Sequence, residues 1–516
     1  MKSIRILFLI AILSSCTDVL DEYPMDFIGP ANFYKNQTDA LAAINGAYSA
    51  LKTYYAEDSY LLMTELPTEA VGTYGQTLAG ENAQLDEYLW NDGHPDILAF
   101  YTNAYRALNA ASSVVDRVPG TEMSEELKNR IIGEAKFLRA LTNFNLVRFF
   151  GDIPLKRNSS RSLDDAAKVD RDPAADVYEF IIEDLEDAVD ILPLRSTLSG
   201  ANIGRATREA ALTLLAKVYL QRGSMNAANG VPESLRIAQA NDFERSAQLL
   251  EAVMTGGYHK LLDDYSHLWG FGVSLEHENN EEVIFDIQNI AQNGFGAGLS
   301  DRVAPVNSPL TKSEGGTMQA ELPFYNSFAD DDVRKAITFC TSYVINGVTV
   351  VYDQNNIGGT GFRGPVPGFY KLLKPDLSAQ DPNNFVVLRY ADVLLMYAEA
   401  LNEINNGPVE DAYDAINAVR NRAGLEDLPE GLTYAEFKDA VFTERRKELV
   451  LEAHGWFDSQ RHFAWAKARV EASSGFGSSD FGPSTQITVE DPKFRLMPIP
   501  RAARDINPSL SQNSGY

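Results

Sequence analysis

Two pairs of segments in this chain share one texture. AALTLLAKVYLQRG (210–223) is followed by FERSAQLLEAVM (243–254), and VLLMYAEALNEINNG (393–407) by VEDAYDAINAVRNRAG (409–424). Each pair is a helix rich in small and aromatic residues, a turn, and a second amphipathic helix. Alanines let two helix axes approach, and aromatic rings fill the remaining gaps. A helix with one apolar stripe has to bury it against another element. A chain with several such pairs is therefore confined to stacked helix pairs, a stiff curved scaffold with loops on one side. The spacing between pairs is irregular, so any repeat is degenerate.

Apolar spacing predicts further helices. Leu41, Ile44, Ala47, Tyr48 and Leu51 share a face over Asp39–Tyr55. Helix is also expected at Ile97–Val118, Ser124–Phe150, Asp172–Leu192, Ala206–Arg222 and Asp242–Thr255. Ser124 is placed to cap the longest of these and Gly151 to stop it. Pro173 falls in the first turn of its helix and Pro193 ends it. After Tyr258 the chain turns rich in glycine, asparagine and aromatics as far as Asn384. There EVIFDIQ (282–288) reads as a strand, and Ile337–Ile345 with Val348–Tyr352 as a hairpin about Asn346-Gly347. Helix returns at Phe385–Asn405, Val409–Ala423 and Tyr434–Ala472. The texture is that of tetratricopeptide helix pairs. The fold class expected is mainly α, a helix-pair scaffold with an irregular loop-rich subdomain and a few short strands.

The N-terminus reads as an address. Lys2 and Arg5 precede eight apolar residues, Ile6–Leu13, too few to span a bilayer as a helix. Ser14, Ser15 and Cys16 follow. Residues 1–15 are expected to be a signal peptide. Leu-Ser-Ser-Cys resembles a bacterial lipobox, which implies lipidation of Cys16 and a tether over 16–36. Two or more acyl chains hold a protein stably where one does so marginally. The other reading is an ordinary signal peptide with a chance cysteine. With Cys16 lipidated, Cys340 is left without a partner for an intrachain disulfide. No other apolar run approaches a membrane span, so the membrane is met through the lipid anchor only.

The net charge of −27 becomes −29 once Lys2 and Arg5 leave. Such a surface repels phosphate backbones, so nucleic acid is not an expected partner.

Glu444, Glu448 and Glu452 lie at i, i+4 and i+8, on one helix face. Glycoside hydrolysis needs two acids on opposite sides of a sugar, whereas a single stripe makes one wall. We expect these acids to pair with Arg389, Arg420, Arg422 and Arg445 as a structural network. No catalytic residue is assigned. Histidines form no metal pattern. Glu276, Glu278, Glu281 and Glu282 form an acidic run that offers oxygen donors to a calcium ion, against the plainer reading of a solvated loop. No other cofactor is expected.

Sugar rings present flat C–H faces that pack on aromatic side chains, while their hydroxyls seek amides and charges. Trp456 and Trp465 sit among apolar helical residues and read as core. Trp90 with Asn91, Tyr74 in GTYGQ (72–76), Trp269 with Phe271, and Arg363 in a glycine-rich loop lie in irregular segments. These six are the candidate ligand-binding residues. The alternative for each aromatic is a local hydrophobic plug.

EAKFLRALTNFNLVRFFGDIPL (134–155), REAALTLLAKVYL (208–220), Asp332 and Arg334 in FADDDVRKAITF (328–339), LRYADVLLMYAEALNEIN (388–405), AINAVRNRAGL (415–425), ERRKELVLEAHGWFDSQR (444–461) and MPIPRAARDINPSLSQNSGY (497–516) resemble, in order, segments of the SusD/RagB family of outer-membrane lipoproteins. One departure is Ala453-His454-Gly455, where that family usually has Gly-x-Arg. The resemblance implies a SusD-like fold with an N-terminal half at 37–257 and a C-terminal half at 258–516, packed as one body. It implies a place on the cell surface beside a SusC-like TonB-dependent β-barrel transporter. It also implies binding of an oligosaccharide or polysaccharide, or in RagB-like members a peptide. A surface glycan-degrading enzyme is the competing class. Acids at Asp18, Asp21 and Glu22 resemble a signal for display on the outer leaflet.

Overall fold

A computed structural model describes residues 33–56, 59–73, 80–160, 169–269, 278–290, 298–305, 308–310, 316–352, 366–373, 383–473 and 495–516. The protein is mostly helical. The main helices are α1 (Gln37–Ala56), α2 (Pro95–Arg117), α3 (Glu125–Phe150), α4 (Ala174–Ile191), α5 (Arg208–Gly223), α6 (Asp242–Thr255), α7 (Tyr390–Asn405), α8 (Glu410–Arg422), α9 (Tyr434–Leu449), α10 (Gly455–Arg461) and α11 (Phe463–Ser473). Each of the first eight packs against the next, so one succession runs from α1 to α8, and α9 joins on α7.

Local chemistry sets the ends. Asn36 Oδ1 accepts from Thr38 N–H at 2.9 Å and opens α1. Ser124 caps α3 through Leu127 N–H, and Gly151 ends it at φ 68°. Thr207 caps α5 through Ala210 N–H at 3.2 Å. Thr433 and Glu436 form a reciprocal capping box on α9. Pro173 precedes α4 as its cap residue instead of lying in its first turn. Close helix approach needs small residues at the crossings. A Cβ on Gly133 would lie 2.9 Å from Ile191 Cγ1, and one on Gly223 2.9 Å from Asp242 Cβ.

Strands are short: β1 (Val71–Gly72), β2 (Val283–Ile287), β3 (Gln319–Ala320), β4 (Phe339–Cys340), β5 (Ser342–Ile345), β6 (Val348–Val351), β7 (Gly368–Phe369) and β8 (Phe385–Arg389). β5 and β6 form the expected hairpin, with Asn346 at φ 51° and Gly347 at φ 77° as two-residue loops of this kind require. Its first arm is shorter than expected, because Val333–Thr338 is helical and β4 pairs with β7.

Two expected helices are corrected. Phe385–Arg389 pairs antiparallel with β2 and only then enters α7. An apolar run of four residues does not reveal its own period. Tyr434–Ala472 is three helices, broken where Leu451 (φ 66°) and Ala453 (φ 61°) adopt left-handed backbone. Non-glycine residues rarely do so, and apolar spacing carries no sign of it. One hydrophobic core runs from Ala40 to Leu510, across the expected 257/258 boundary.

Candidate ligand-binding surface

Three segments far apart in sequence meet at one junction. β1 pairs with β3, Glu321 N–H donates to Ala70 O at 3.0 Å, and Ala320 N–H donates to Pro367 O at 3.1 Å. Thr73, Gly316 and Val366 are thus the described ends of chain leading into 74–79, 311–315 and 353–365. Tyr74 and Arg363 belong to those stretches, and with Phe271 they lie outside the described residues.

Beside this junction lies an acid pair with no cation paired to it among the described residues. Asp86 Oδ2 accepts from Thr73 N–H at 2.7 Å and Thr73 Oγ1 at 2.8 Å. Glu321 is buried, and its Oε2 has no hydrogen bond. Both carboxylates face Gly72, where an added Cβ would clash with Glu321. Burial pushes the Asp86 carboxyl up to about 7. Burial, with Asp86 and Glu87 beside it, holds Glu321 well above the ordinary carboxylate range. The pair therefore keeps a proton at neutral pH.

The two described tryptophan candidates are not exposed platforms, which corrects that expectation. Trp90 is 1% exposed, its ring 4.9 Å from Tyr88 and 5.9 Å from Trp456. Its Nε1–H donates to Tyr516 Oη at 2.6 Å. Asn91 is exposed, but its Oδ1 accepts from Gly93 N–H at 2.8 Å and shapes a turn. The next residue, Asp92, pairs with Arg501 at 2.6 Å. Trp269 is 7% exposed, with Lys371 Nζ 4.4 Å from its ring centroid. Both rings serve the core because partners distant in sequence cover them. The junction brings the approaches to Tyr74 and Arg363 together and leaves Trp269 inside.

The glutamate stripe is a buried ion-pair network. Glu444 meets Arg334 at 2.6 Å and Arg420 at 3.1 Å. Glu448 meets Arg389 at 2.6 Å, Arg334 at 3.0 Å and also Arg422. Glu452 meets Lys371 at 2.6 Å and Arg389 at 2.7 Å. These guanidinium groups hold Glu448 well below the ordinary carboxylate range despite its burial. Three of the four expected arginines take part. Arg445 instead pairs with Asp392 at 2.8 Å and Asp458 at 3.0 Å. Arg334 and Lys371 join from outside the stripe, and the Asp332-x-Arg334 segment carried a sign of the first: Asp332 both caps its helix and pairs with Arg334 at 2.9 Å.

His454, at the departure from the family pattern, is buried with Nδ1 2.9 Å from Lys217 Nζ. Burial first, and then the Lys217 charge, push it down to about 3. It is neutral and accepts from Lys217, which in turn meets Asp392 at 2.8 Å. The arginine of that pattern would fall at Gly455, where an added Cβ would clash with the Arg446 guanidinium.

The acidic run considered for calcium is dispersed. Glu282 is buried between Arg389 (2.9 Å) and Arg422 (3.0 Å), and Glu281 pairs with Lys260 at 3.0 Å. Glu276 lies outside the described residues. Among the described residues no group of three His, Cys, Asp or Glu side chains is placed to hold a metal ion. Among them, too, no helix is long and apolar enough to cross a membrane.

The family model described as SusD family matches residues 369–516. A second, described as starch-binding associating with outer membrane, matches residues 33–220. The chain is 27% identical to SusD-like protein P2 of Formosa agariphila over 100% of both chains. The crystal structure of a SusD homolog from Bacteroides thetaiotaomicron superposes with TM-score 0.78 at 23% identity, covering 94% of this chain and 98% of that one. A laminarin binding SusD-like protein superposes with TM-score 0.74 at 22% identity, covering 94% and 100%. With models from the one family at both ends, a relative aligned over its whole length and the same helical fold, the chain belongs to the SusD/RagB family.

Proposed function

We propose that this protein binds an oligosaccharide or polysaccharide at the cell surface and delivers it to a SusC-like TonB-dependent transporter. It is anchored in the outer membrane by lipid on Cys16. The observation that carries the reading is the match of residues 33–220 to a family described as starch-binding, together with the superposition of 94% of the chain on a laminarin binding SusD-like protein. Tyr74, Phe271 and Arg363 remain our ligand-binding residues, with no resident cofactor. The ring packs on a sugar face and the guanidinium donates to hydroxyls. Binding, not bond cleavage, is the activity, and the glutamate stripe agrees because its buried carboxylates are taken up in ion pairs with arginines and Lys371.

A screen of the fragment from Asp18 to Tyr516 against polysaccharides and peptide mixtures tests this. A glycan is expected to bind, and Tyr74→Ala and Arg363→Ala each to weaken it about tenfold, the loss of roughly one good contact. Binding of peptides alone would replace glycan with peptide. New reducing ends from glycan would defeat the non-enzymic reading, and a chelator-sensitive affinity would defeat the cofactor-free one. Cys16→Ala is expected to release the protein from membranes, and the wild type to co-purify with a β-barrel.

A further inference from the structure

Away from that junction, a cavity of about 190 Å³ lies between the C-terminal end of α3, the N-terminal end of α4, the end of α5 and Arg495. Its lining holds four polar side chains, Arg148, Gln221, Gln460 and Arg495, each nine-tenths or more buried. Neither glutamine makes a side-chain hydrogen bond, and neither arginine has an ion pair, among the described residues. Arg495 uses Nη2 on Asn229 O and Gly230 O, both at 3.1 Å, and lies 3.8 Å over the Phe463 ring. Arg148 donates to Asn145 Oδ1 and lies 3.5 Å from the Phe457 ring centroid. Burial lowers both guanidinium groups from their ordinary value, Arg495 to about 10, and no carboxylate among the described residues is paired with either.

This departs from how the chain treats its other buried cations. Arg334, Arg389, Arg422, Arg445 and Arg461 each face carboxylates. A buried charge without a counter-charge is costly, and buried amides without partners add to that cost. The one carboxylate of the lining, Asp152, is exposed, and its Oδ1 accepts from Ala174 N–H at 2.8 Å. The volume equals about six waters, less than the several hundred Å³ of a drug-sized pocket.

We propose that this cavity binds a sugar acid of monosaccharide size, its carboxylate toward Arg148 and Arg495 and its hydroxyls toward Gln221 and Gln460. Guanidinium suits a planar carboxylate, and primary amides both donate to and accept from hydroxyls. The net charge of −27 does not preclude this, because surface charge is screened beyond about 8 Å in physiological salt. The site stands apart from the loop junction and does not depend on what binds there.

Calorimetry and thermal unfolding of the whole mature protein with sodium glucuronate, sodium acetate and glucose, at fixed ionic strength, test it. Glucuronate is expected to bind and raise the unfolding temperature, with acetate and glucose each at least about tenfold weaker. Arg495→Met and Gln460→Leu are each expected to cut glucuronate affinity at least about tenfold. Arg148 is left intact because it also serves the Asn145 and Tyr60 cluster. If Arg495→Met does not fold, Gln460→Leu alone decides. No glucuronate binding below about 10 mM, equal binding of acetate or glucose, or unchanged affinity in the folded variants would overturn the proposal.

Discussion

Glu448 and Glu321 are both buried carboxylates, and burial pushes each toward its neutral form. Around Glu448 stand Arg334, Arg389 and Arg422, and it stays ionised. Around Glu321 stand Asp86 and Glu87, and it holds its proton. The first lies where α9 meets β8 and α8, within the scaffold. The second lies at the junction of β1, β3 and Pro367. The same side chain therefore does two jobs: with guanidinium partners it fastens helices, and without them it makes a strand junction sensitive to pH.

Breaking the first region should cost most. Glu448→Ala removes the carboxylate that three buried guanidinium groups share and should destabilise by about 3–5 kcal/mol, read by urea unfolding. A loss below about 1 kcal/mol would mean the network is not what separates the two regions. Acid should act in the same direction. Glu448 contributes stability above its ordinary value near 4.5, and that contribution is lost as pH falls toward its much lower folded value.

Between the regions stands Trp90, in contact with Tyr88 on the loop side and Trp456 in α10. Trp90→Phe keeps an aromatic ring but removes the hydrogen bond to Tyr516, and should cost about 1–2 kcal/mol while leaving ligand affinity unchanged. A folded variant with affinity about tenfold lower would return Trp90 to the binding surface.

The second region should respond with the opposite sign. An unfolded Asp86 gives up its proton near 3.8, a folded one near 7. Its stabilising contribution is thus complete below about pH 4 and disappears as pH rises through 7. Asp86→Asn and Glu321→Gln should each flatten that decline and stabilise by about 1 kcal/mol at pH 8, measured as thermal midpoints at pH 5 and pH 8. Equal midpoints for wild type and variants at both pH values would remove the contrast. Last, Asp187→Asn breaks only the surface pair with Lys136 and should change stability by less than about 0.5 kcal/mol. It sets the floor for the comparison.

What could be read in the sequence follows from range. α3 was legible because its apolar face, its Ser124 cap and its Gly151 stop are all local. The pairs α5–α6 and α7–α8 were legible from texture and do pack together. β8 was hidden because FVVLR is a strand only by virtue of β2. The breaks at Leu451 and Ala453 were hidden because their left-handed backbone is imposed by surroundings, not residue type. The site was less legible. An aromatic beside asparagine and glycine looks the same whether its ring faces solvent or is capped from across the molecule, as Trp90 is by Tyr516. Asp86 and Glu321, far apart in sequence and set together by β1 and β3, carried no local sign.

The bond from Trp90 to Tyr516 joins residues 426 positions apart. Asp92 and Arg501 strengthen the same seam. A ribosome makes Trp90 long before Tyr516, so the wall that Trp90 belongs to cannot seal until the 426th residue after it has emerged. A chain left open in this way has to be shielded from aggregation until Tyr516 arrives.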